Sequence, residues 1–326
     1  MDIKFPGWPH IIKAQQFSRE WIEQILFPTA REMAIVVRSR GSQALAGKMM
    51  TLLFYQPSTR TRASFQYSMA YLGGQSVFFT ENAKEFSSAA KGESLRHTIL
   101  NHEQYEPDVI VLRHYQEGAA EEAAKISKRT PIINGGDGKG QHPTQALLDL
   151  FTIQESLGRL DDITIAIVGD LRRGRVVRSL CYLLAKFNNP KIHLVSSLKS
   201  RMKCDIKDHL REKGIWFDET NDIRLVAPMA DVVYMTRDQK EYQDSFDEEE
   251  LELPEQNFSG NEHLIFDQEV LDLTPETSIV MHPQPIDDAV KEIRPEVEDD
   301  PRVIFIRKQV KAGLHIRMAL LKILLF

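Results

Sequence analysis

The sequence predicts an α/β protein of two domains, each a parallel β-sheet flanked by helices. Its 326 residues are enough for two domains of ordinary size, each with its own core. Short apolar runs alternate with amphipathic segments along almost the whole chain, which is typical of strand–helix units and parallel sheets. A composition of 42% hydrophobic and 27% charged residues is that of a globular protein, not of a disordered or membrane-embedded one.

Apolar runs of strand length, several of them bounded by turn residues, predict eight strands in chain order. They are Met50–Phe54, Ser76–Phe79, Val109–Leu112, Ile132–Asn134, Ile163–Val168, Lys191–Val195, Val232–Met235 and Ser278–Met281. Amphipathic segments between them predict helices. The clearest are Thr61–Leu72, Glu93–Asn101, Thr144–Leu157 and Val176–Phe187.

The chain crosses between the two predicted domains twice. The glycine-rich segment Asn134–Gly140 ends the first series of strands, and a new helix opens at His142-Pro143-Thr144. The Pro-containing acidic stretch Arg294–Pro301 is the second crossing, after which the apolar run Met318–Phe326 forms a docking helix. We therefore expect residues 1–143 with 300–326 to form one domain and residues 144–299 the other.

Charge and cysteine usage exclude several classes of function. A net charge of -6 provides no basic surface for nucleic acid. Cys181 and Cys204 lack metal-ligand spacing, which indicates free thiols in a reducing compartment. The first eight residues lack the apolar core of a signal peptide, and the C-terminal run is too short to span a bilayer. We expect a cytoplasmic protein that binds neither nucleic acid nor membrane.

The strongest functional signal is Ser58-Thr59-Arg60-Thr61-Arg62, which follows an apolar strand and opens a helix. A helix N-terminus already presents unpaired N–H groups and a partial positive charge. Hydroxyls and guanidiniums added there suit a phosphate group. The alternative is an ordinary N-cap with two solvated arginines.

Polar residues follow further strands of the first half, at the edge where parallel α/β sheets bind ligands. Arg113 follows the third strand and could stabilise a polarised oxygen, although a cation at the end of a strand is usually a solvated or ion-paired surface group. His142 stands at a helix start, where the helix dipole favours a neutral ring that can donate a hydrogen bond to a carbonyl. A capping or packing histidine is the alternative. The loop Ser87–Glu93 is either a capping box around Ser88 or a flexible surface loop.

In the second half, arginines follow two strands. The turn Gly169–Arg175 lacks the G-x-G-x-x-G spacing of a dinucleotide site, and its three arginines favour carboxylate recognition. Arg237 provides a second carboxylate-binding guanidinium after the strand that ends at Met235. The acidic segment 238–256 is expected to be a surface helix or loop without a catalytic role.

These segments together resemble the catalytic chains of the aspartate carbamoyltransferase family. The motifs occur in the family's order over nearly the whole chain. They are Phe54–Phe65, Ser87–Glu93, Arg113–Gly118, Asn134–Asp149, Gly169–Arg175, Tyr234–Gln239 and Arg317–Leu321. Thr236–Gln239 and His282-Pro283 favour the aspartate enzymes over the ornithine enzymes.

The resemblance implies transfer of a carbamoyl group from carbamoyl phosphate to L-aspartate, the committed early step of pyrimidine synthesis, without metal or organic cofactor. It implies four groups of binding residues. They are Ser58, Thr59, Arg60 and Thr61 for the phosphate; Thr61, Arg113 and His142 for the carbonyl oxygen; Gln145 for the carbamoyl NH₂; and Arg175, Arg237 and Gln239 for the two carboxylates of aspartate. Gln284 and Pro285 would contact the carbamoyl and amino groups through backbone carbonyls. Ser87 and Lys91 would come from a neighbouring subunit, which implies a homotrimer with shared sites, alone or with regulatory or pathway-partner chains.

The chain departs from the family pattern on the aspartate side. The loop that usually continues His-Pro with Leu-Pro-Arg is here Gln284-Pro285-Ile286, so that an arginine is lost. Arg173 and Arg178 replace a common aromatic residue and a common histidine. Two alternatives therefore stand beside aspartate transfer: a carbamoyltransferase with another amino acid acceptor, and a catalytically silent binding or assembly subunit of the same fold.

Overall fold

The computed structural model describes residues 10–239 and 262–326. The chain divides into two compact units, Met1–Phe151 with Lys311–Phe326 and Thr152–Val310. Each contains a parallel sheet flanked by helices, as the sequence predicts. The narrower limits expected above, 1–143 with 300–326 and 144–299, remain a prediction. Residues 1–9 and residues 240–256 of the acidic segment lie outside the described residues.

The first unit has a four-stranded sheet in the order β2-β1-β3-β4. Its strands are β1 (Met49–Phe54), β2 (Gln75–Thr80), β3 (Val109–His114) and β4 (Ile132–Asp137). Its helices are α1 (Arg19–Trp21), α2 (Phe27–Arg38), α3 (Thr59–Tyr71), α4 (Ala83–Phe86), α5 (Leu95–Glu103), α6 (Ala119–Ile126), α7 (Pro143–Leu157) and α11 (Val310–Leu325). A π-helical stretch, Ile22–Leu26, joins α1 to α2, and another, Phe305–Gln309, precedes α11. The last six residues of α7, 152–157, and the first residue of α11 belong to the second unit.

The second unit has a five-stranded sheet in the order β7-β6-β5-β8-β9. Its strands are β5 (Thr164–Val168), β6 (Lys191–Val195), β7 (Trp216–Thr220), β8 (Val232–Met235) and β9 (Ile279–Met281). Its helices among the described residues are α8 (Arg175–Leu184), α9 (Cys204–Glu212) and α10 (Gln268–Leu273). Valines of β5, β6, β8 and β9 pack with Phe266 and Phe305 in one buried cluster.

The eight predicted strands are all present, and β7 is the strand that the sequence did not reveal. Its residues Trp-Phe-Asp-Glu-Thr are half-buried or exposed and include two carboxylates. Strand β7 lies at the edge of its sheet, where one side faces no other strand. The apolar signal that marks a central parallel strand is therefore weak here.

The register of the strands gathers the polar segments at one edge of each sheet. In the first unit, Phe54 at the end of β1 lies opposite Arg113, and Leu112 lies opposite Asn134. The segments that follow these strands therefore leave the sheet side by side. In the second unit, Val168 lies opposite both Val195 and Met235. The turns after β5 and β8 are therefore neighbours too.

No helix among residues 10–239 and 262–326 is long and apolar enough to cross a membrane.

A buried carboxylate organises the loop that leads into β4. One oxygen of Glu103, at the end of α5, accepts the Ser127 hydroxyl at 2.7 Å and the amides of Lys128, Arg129 and Thr130 at 2.9, 3.0 and 3.2 Å. Burial opposes ionisation of this carboxyl, but the hydrogen bonds outweigh it and lower the pKa of Glu103. Only the ionised form receives these bonds at full strength.

We expect Glu103→Gln to lower the free energy of unfolding at pH 7 by about 1–2 kcal/mol, because a neutral amide oxygen replaces a charged acceptor. The contribution is fully present above the carboxyl pKa of the unfolded chain, about 4.3, and is lost as the pH falls through the lower pKa of the folded state. Urea unfolding of both proteins at several pH values should therefore show curves that converge in acid. Glu121→Gln, in an exposed ion pair with Lys125 on α6, is the control. Equal pH dependence of Glu103→Gln and the wild type would contradict this account.

Candidate active site

The N-terminus of α3 is open. The first backbone hydrogen bond of the helix is donated by the Arg62 amide to the Ser58 carbonyl at 3.1 Å. The amides of Thr59, Arg60 and Thr61 therefore have no partner within the helix. Ser58 occupies the N-cap position, yet its side chain caps none of these amides. The ordinary N-cap reading is thus wrong, and the hydroxyl and the amides are all left to an external acceptor.

The two arginines of this segment behave differently. Arg62 pairs with Glu81 at 2.7 Å and lies 5.2 Å from the ring centroid of Phe79. Arg60 is exposed and makes no hydrogen bond or ion pair with any residue in the described ranges. Partial desolvation lowers the pKa of Arg60, which pairs with no carboxylate in the described part of the chain. The anion site predicted with two guanidiniums therefore has one, Arg60.

Arg113 and His142 lie at the same edge of the first sheet. The Nη1 atom of Arg113 donates to the Gly135 carbonyl at 3.0 Å, which holds the guanidinium over the end of β4. His142 is 4% exposed, and its carbonyl accepts the Gln145 amide at 3.0 Å as α7 begins. The imidazole of His142 is therefore buried beside the start of α7, and its role stays a prediction. The Gln145 side chain donates to Asp149 Oδ1 at 3.0 Å one turn further along α7.

Asp137 shapes the glycine-rich loop that carries His142. Its Oδ1 accepts the Asn134 side-chain amide at 3.0 Å and the Gln141 backbone amide at 2.9 Å. Its Oδ2 accepts the Gly118 amide at 3.0 Å, which ties the loop to the start of α6. Asp137 is only 4% exposed, so it acts on the loop from within.

Ser87 and Lys91 lie in the loop after α4. The Ser87 hydroxyl donates to the Ala83 carbonyl and accepts the Ala89 amide at 3.1 Å, so that Ser87, and not Ser88, is the capping residue here. The Lys91 side chain is exposed. Neither side chain forms a hydrogen bond or ion pair with the anion-site residues of the described chain.

Asp170 joins the two arginine-bearing turns of the second unit. It is 2% exposed; its Oδ1 accepts the Arg173 amide at 3.0 Å and its Oδ2 accepts the Gln239 amide at 3.2 Å. Burial raises the pKa of Asp170, while these amides and the Arg173 charge oppose the rise. The two turns approach so closely that the residue before Asp170 must be glycine. Gly169 has φ +123°, and a Cβ there would lie 2.3 Å from the Thr236 carbonyl oxygen.

The predicted carboxylate ligands stand on these two turns. Arg175 is the first residue of α8, and the Arg237 guanidinium donates to the Asp238 carbonyl at 2.9 Å. Gln239 follows on the same turn. Arg178 does not belong with them, because its guanidinium pairs with Asp205 of α9.

The loop after β9 accommodates the departures from the family pattern. His282 Nδ1 accepts the Gln284 amide at 2.8 Å, and the His282 amide donates to the Gln309 side chain at 3.0 Å. The Gln284-Pro285 bond is cis. Ile286, which replaces the usual arginine, packs on the buried cluster of the second unit. The loop thus keeps an anchored backbone, and the partly buried Ile286 side chain packs against the outside of the cluster.

Sequence reasoning missed the supporting carboxylates Asp137, Asp149 and the linking role of Asp170. The signal available was acidic residues within motifs otherwise rich in cations and glycine, as in Gly169-Asp170. Such residues hold the ligand-binding turns and contribute no obvious ligand of their own.

We expect Arg60→Ala to weaken the binding of inorganic phosphate about ten- to hundredfold, because it removes a charged donor that no other residue engages. Arg62→Ala, the matched control, should keep phosphate affinity and lower the free energy of unfolding by up to about 1 kcal/mol. Calorimetric titration and urea unfolding of both variants measure this. Loss of affinity in Arg62→Ala alone would reverse the assignment.

Comparison with known proteins gives matches over nearly the whole chain. Residues 9–155 match the family described as aspartate/ornithine carbamoyltransferase, carbamoyl-P binding domain. Residues 161–324 match the companion family, aspartate/ornithine carbamoyltransferase, Asp/Orn binding domain.

Individual relatives agree with these matches. Aspartate carbamoyltransferase 1, chloroplastic, of Pisum sativum is 50% identical over 97% of this chain and 78% of its own. The aspartate carbamoyltransferase catalytic subunit of Methanopyrus kandleri is 41% identical over 97% of this chain and 96% of its own. The solved structure of aspartate transcarbamoylase from Trypanosoma cruzi in complex with carbamoyl phosphate and aspartate has a TM-score of 0.86 and 37% identity, covering 98% of this chain and 97% of that one.

Proposed function

The chain belongs to the aspartate/ornithine carbamoyltransferase family, and we propose that it transfers the carbamoyl group of carbamoyl phosphate to L-aspartate, in de novo pyrimidine biosynthesis. The observation that carries the proposal is the open N-terminus of α3, whose first amides and Arg60 have no partner among residues 10–239 and 262–326. Such a site suits the phosphate of carbamoyl phosphate. Relatives named aspartate carbamoyltransferase, at 41–50% identity, support aspartate as the acceptor.

The first unit supplies the residues for carbamoyl phosphate. We assign the phosphate to Ser58, Thr59, Arg60 and Thr61. Thr61, Arg113 and His142 face the carbonyl oxygen, and Gln145 holds the carbamoyl NH₂. Arg113 is anchored on Gly135, so it is preorganised for a charge that develops only during reaction.

The second unit supplies the residues for aspartate. Arg175 takes the α-carboxylate, and Arg237 with Gln239 takes the β-carboxylate. The backbone carbonyls of Gln284 and Pro285 contact the carbamoyl and amino groups. Asp170 holds the turns of Arg175 and Gln239 in register.

Transfer is a direct displacement. The aspartate amine attacks the carbonyl carbon, a C–N bond forms, and the carbonyl oxygen becomes an oxyanion. The C–O bond to phosphate then breaks, and the amine proton leaves with the phosphate. The products are N-carbamoyl-L-aspartate and phosphate. Orientation and stabilisation of the oxyanion carry this reaction without a covalent enzyme intermediate.

Phosphate release from carbamoyl phosphate by purified protein, with L-aspartate, L-ornithine and other amines in turn, tests the proposal. Aspartate-dependent release with formation of carbamoyl-aspartate is the expected result. Turnover with another amine alone would mean that the Gln284–Ile286 loop selects a different acceptor. No turnover with any amine would point to a binding or assembly subunit.

We expect Arg113→Ala to lower kcat by about a hundred- to thousandfold, the usual cost of losing one oxyanion donor. The fold should persist, since the Arg113 guanidinium donates to the Gly135 carbonyl near the end of β4 and not to the core. Steady-state kinetics and circular dichroism measure both effects. Arg129→Ala, an exposed arginine near β4, serves as the charge-matched control. Near-wild-type turnover in Arg113→Ala would contradict the assignment.

We further propose a homotrimer in which Ser87 and Lys91 enter the site of a neighbouring subunit. An uncovered apolar surface supports an assembly: Val77 and Phe79 on the edge strand β2 are 51% and 53% exposed, and Phe86, beside Ser87, is 80% exposed. Association with regulatory or pathway-partner chains stays a prediction. A cytoplasmic location remains a prediction, and the plant relatives are named chloroplastic.

Mixing two inactive variants tests the shared site. Lys91→Ala and Arg60→Ala should each have little activity alone. Hybrids formed from the two by denaturation and refolding should recover part of it, because some sites then combine two intact contributions. Refolded single variants are the controls. Hybrids no more active than these controls would indicate that both residues act within one subunit.

A further inference from the structure

A buried arginine lies behind the anion site of the first unit. Arg317 of α11 is 4% exposed, and its Nη1 donates to the Ser64 hydroxyl of α3 at 2.6 Å. Its guanidinium carbon lies 5.3 Å from the ring centroid of Phe65, while Nε is buried without a hydrogen-bond partner in the described chain. A buried guanidinium with so few partners is unfavourable for folding taken alone.

The surroundings of Arg317 are built to keep this charge. Burial lowers the pKa of Arg317 to about 10, and the negative charge of the buried Asp149 on α7 acts in the opposite direction. Gly313, one turn earlier in α11, leaves space: a Cβ there would lie 3.2 Å from Nη1 of Arg317 and 3.2 Å from Leu148 of α7. Glycine is unfavourable inside a helix, so this space also has a cost.

Two short series of interactions connect Arg317 to residues that we propose bind the substrate. Ser64, which accepts from Arg317, donates its own proton to the Thr61 carbonyl at 3.3 Å. Asp149, whose negative charge stabilises the charged form of Arg317, accepts a hydrogen bond from the Gln145 side chain at 3.0 Å. One guanidinium therefore acts on the start of α3 and on the first turns of α7. Arg317 thus acts on the proposed ligands Thr61 and Gln145 through Ser64 and Asp149.

We propose that Arg317 is a positioning residue that fixes Thr61 relative to Gln145 and so sets the affinity for carbamoyl phosphate. This inference rests on the proposed function, because it assigns both residues to the same substrate. Fixing the phosphate end and the NH₂ end of a small molecule together requires the two helices to keep one spacing. The fork of an arginine, held over Phe65, defines that spacing better than a lysine would.

Arg317→Lys and Ser64→Ala test the inference, the first keeping the charge and the second removing only the link. We expect each to raise the Kd for inorganic phosphate about tenfold, the loss expected for one charge-assisted hydrogen bond. KM for carbamoyl phosphate should rise in parallel, while KM for aspartate stays unchanged. Calorimetry, steady-state kinetics and melting curves measure these quantities.

Lys322→Met is the matched control on the same helix, because Lys322 forms a surface pair with Glu32 at 3.0 Å. It should bind phosphate like the wild type. Arg317→Lys and Ser64→Ala proteins that melt earlier but bind phosphate normally would overturn the inference, as would equal rises in KM for both substrates. Failure of the wild type to bind phosphate or to turn over would instead overturn the proposed function, and the inference with it.

Discussion

The structure depends on a simple constraint: a helix cannot pair its own first amides. In α3 no side chain caps these amides. Ser58 occupies the N-cap position, but its hydroxyl accepts no hydrogen bond from them. Other contacts of the first unit hold this unfinished end in place. Strand register brings Arg113 alongside the end of β1, and Arg62 is drawn off to Glu81. The free energy not gained by capping stays available for an anion.

In the second unit, the constraint is that two positively charged turns must lie close together. Its arginine-bearing turns come from separate strands and carry like charges, which would repel each other if brought close without compensation. Asp170 compensates from the inside, since one carboxylate accepts an amide from each turn. The backbones of both turns are thereby held, and the Arg173 guanidinium lies 3.7 Å from the same carboxylate. Gly169 is the local requirement for this arrangement.

Much of this could be predicted from the sequence, because the functional residues sit in contiguous motifs directly after apolar strands. What could not be predicted depends on distant pairing. Arg60 and Arg62 look alike in the sequence, and only the β1–β2 register reveals that Glu81 engages one of them. Ser64 and Arg317 meet across 253 positions of chain. Strand β7 lacked the apolar signal because its edge position leaves it half-solvated.

The ion pair between Arg62 and Glu81 also connects α3 to the edge of the first sheet. Glu81 directly follows β2, and the ring of Phe79, which also contacts Arg62, belongs to that exposed edge strand. Any chain that covers this edge would therefore contact Phe79 or Glu81, the side chains that hold Arg62 of α3. Association at this edge would then change the stability of the first unit, the same quantity that loss of the Arg62–Glu81 pair is expected to lower.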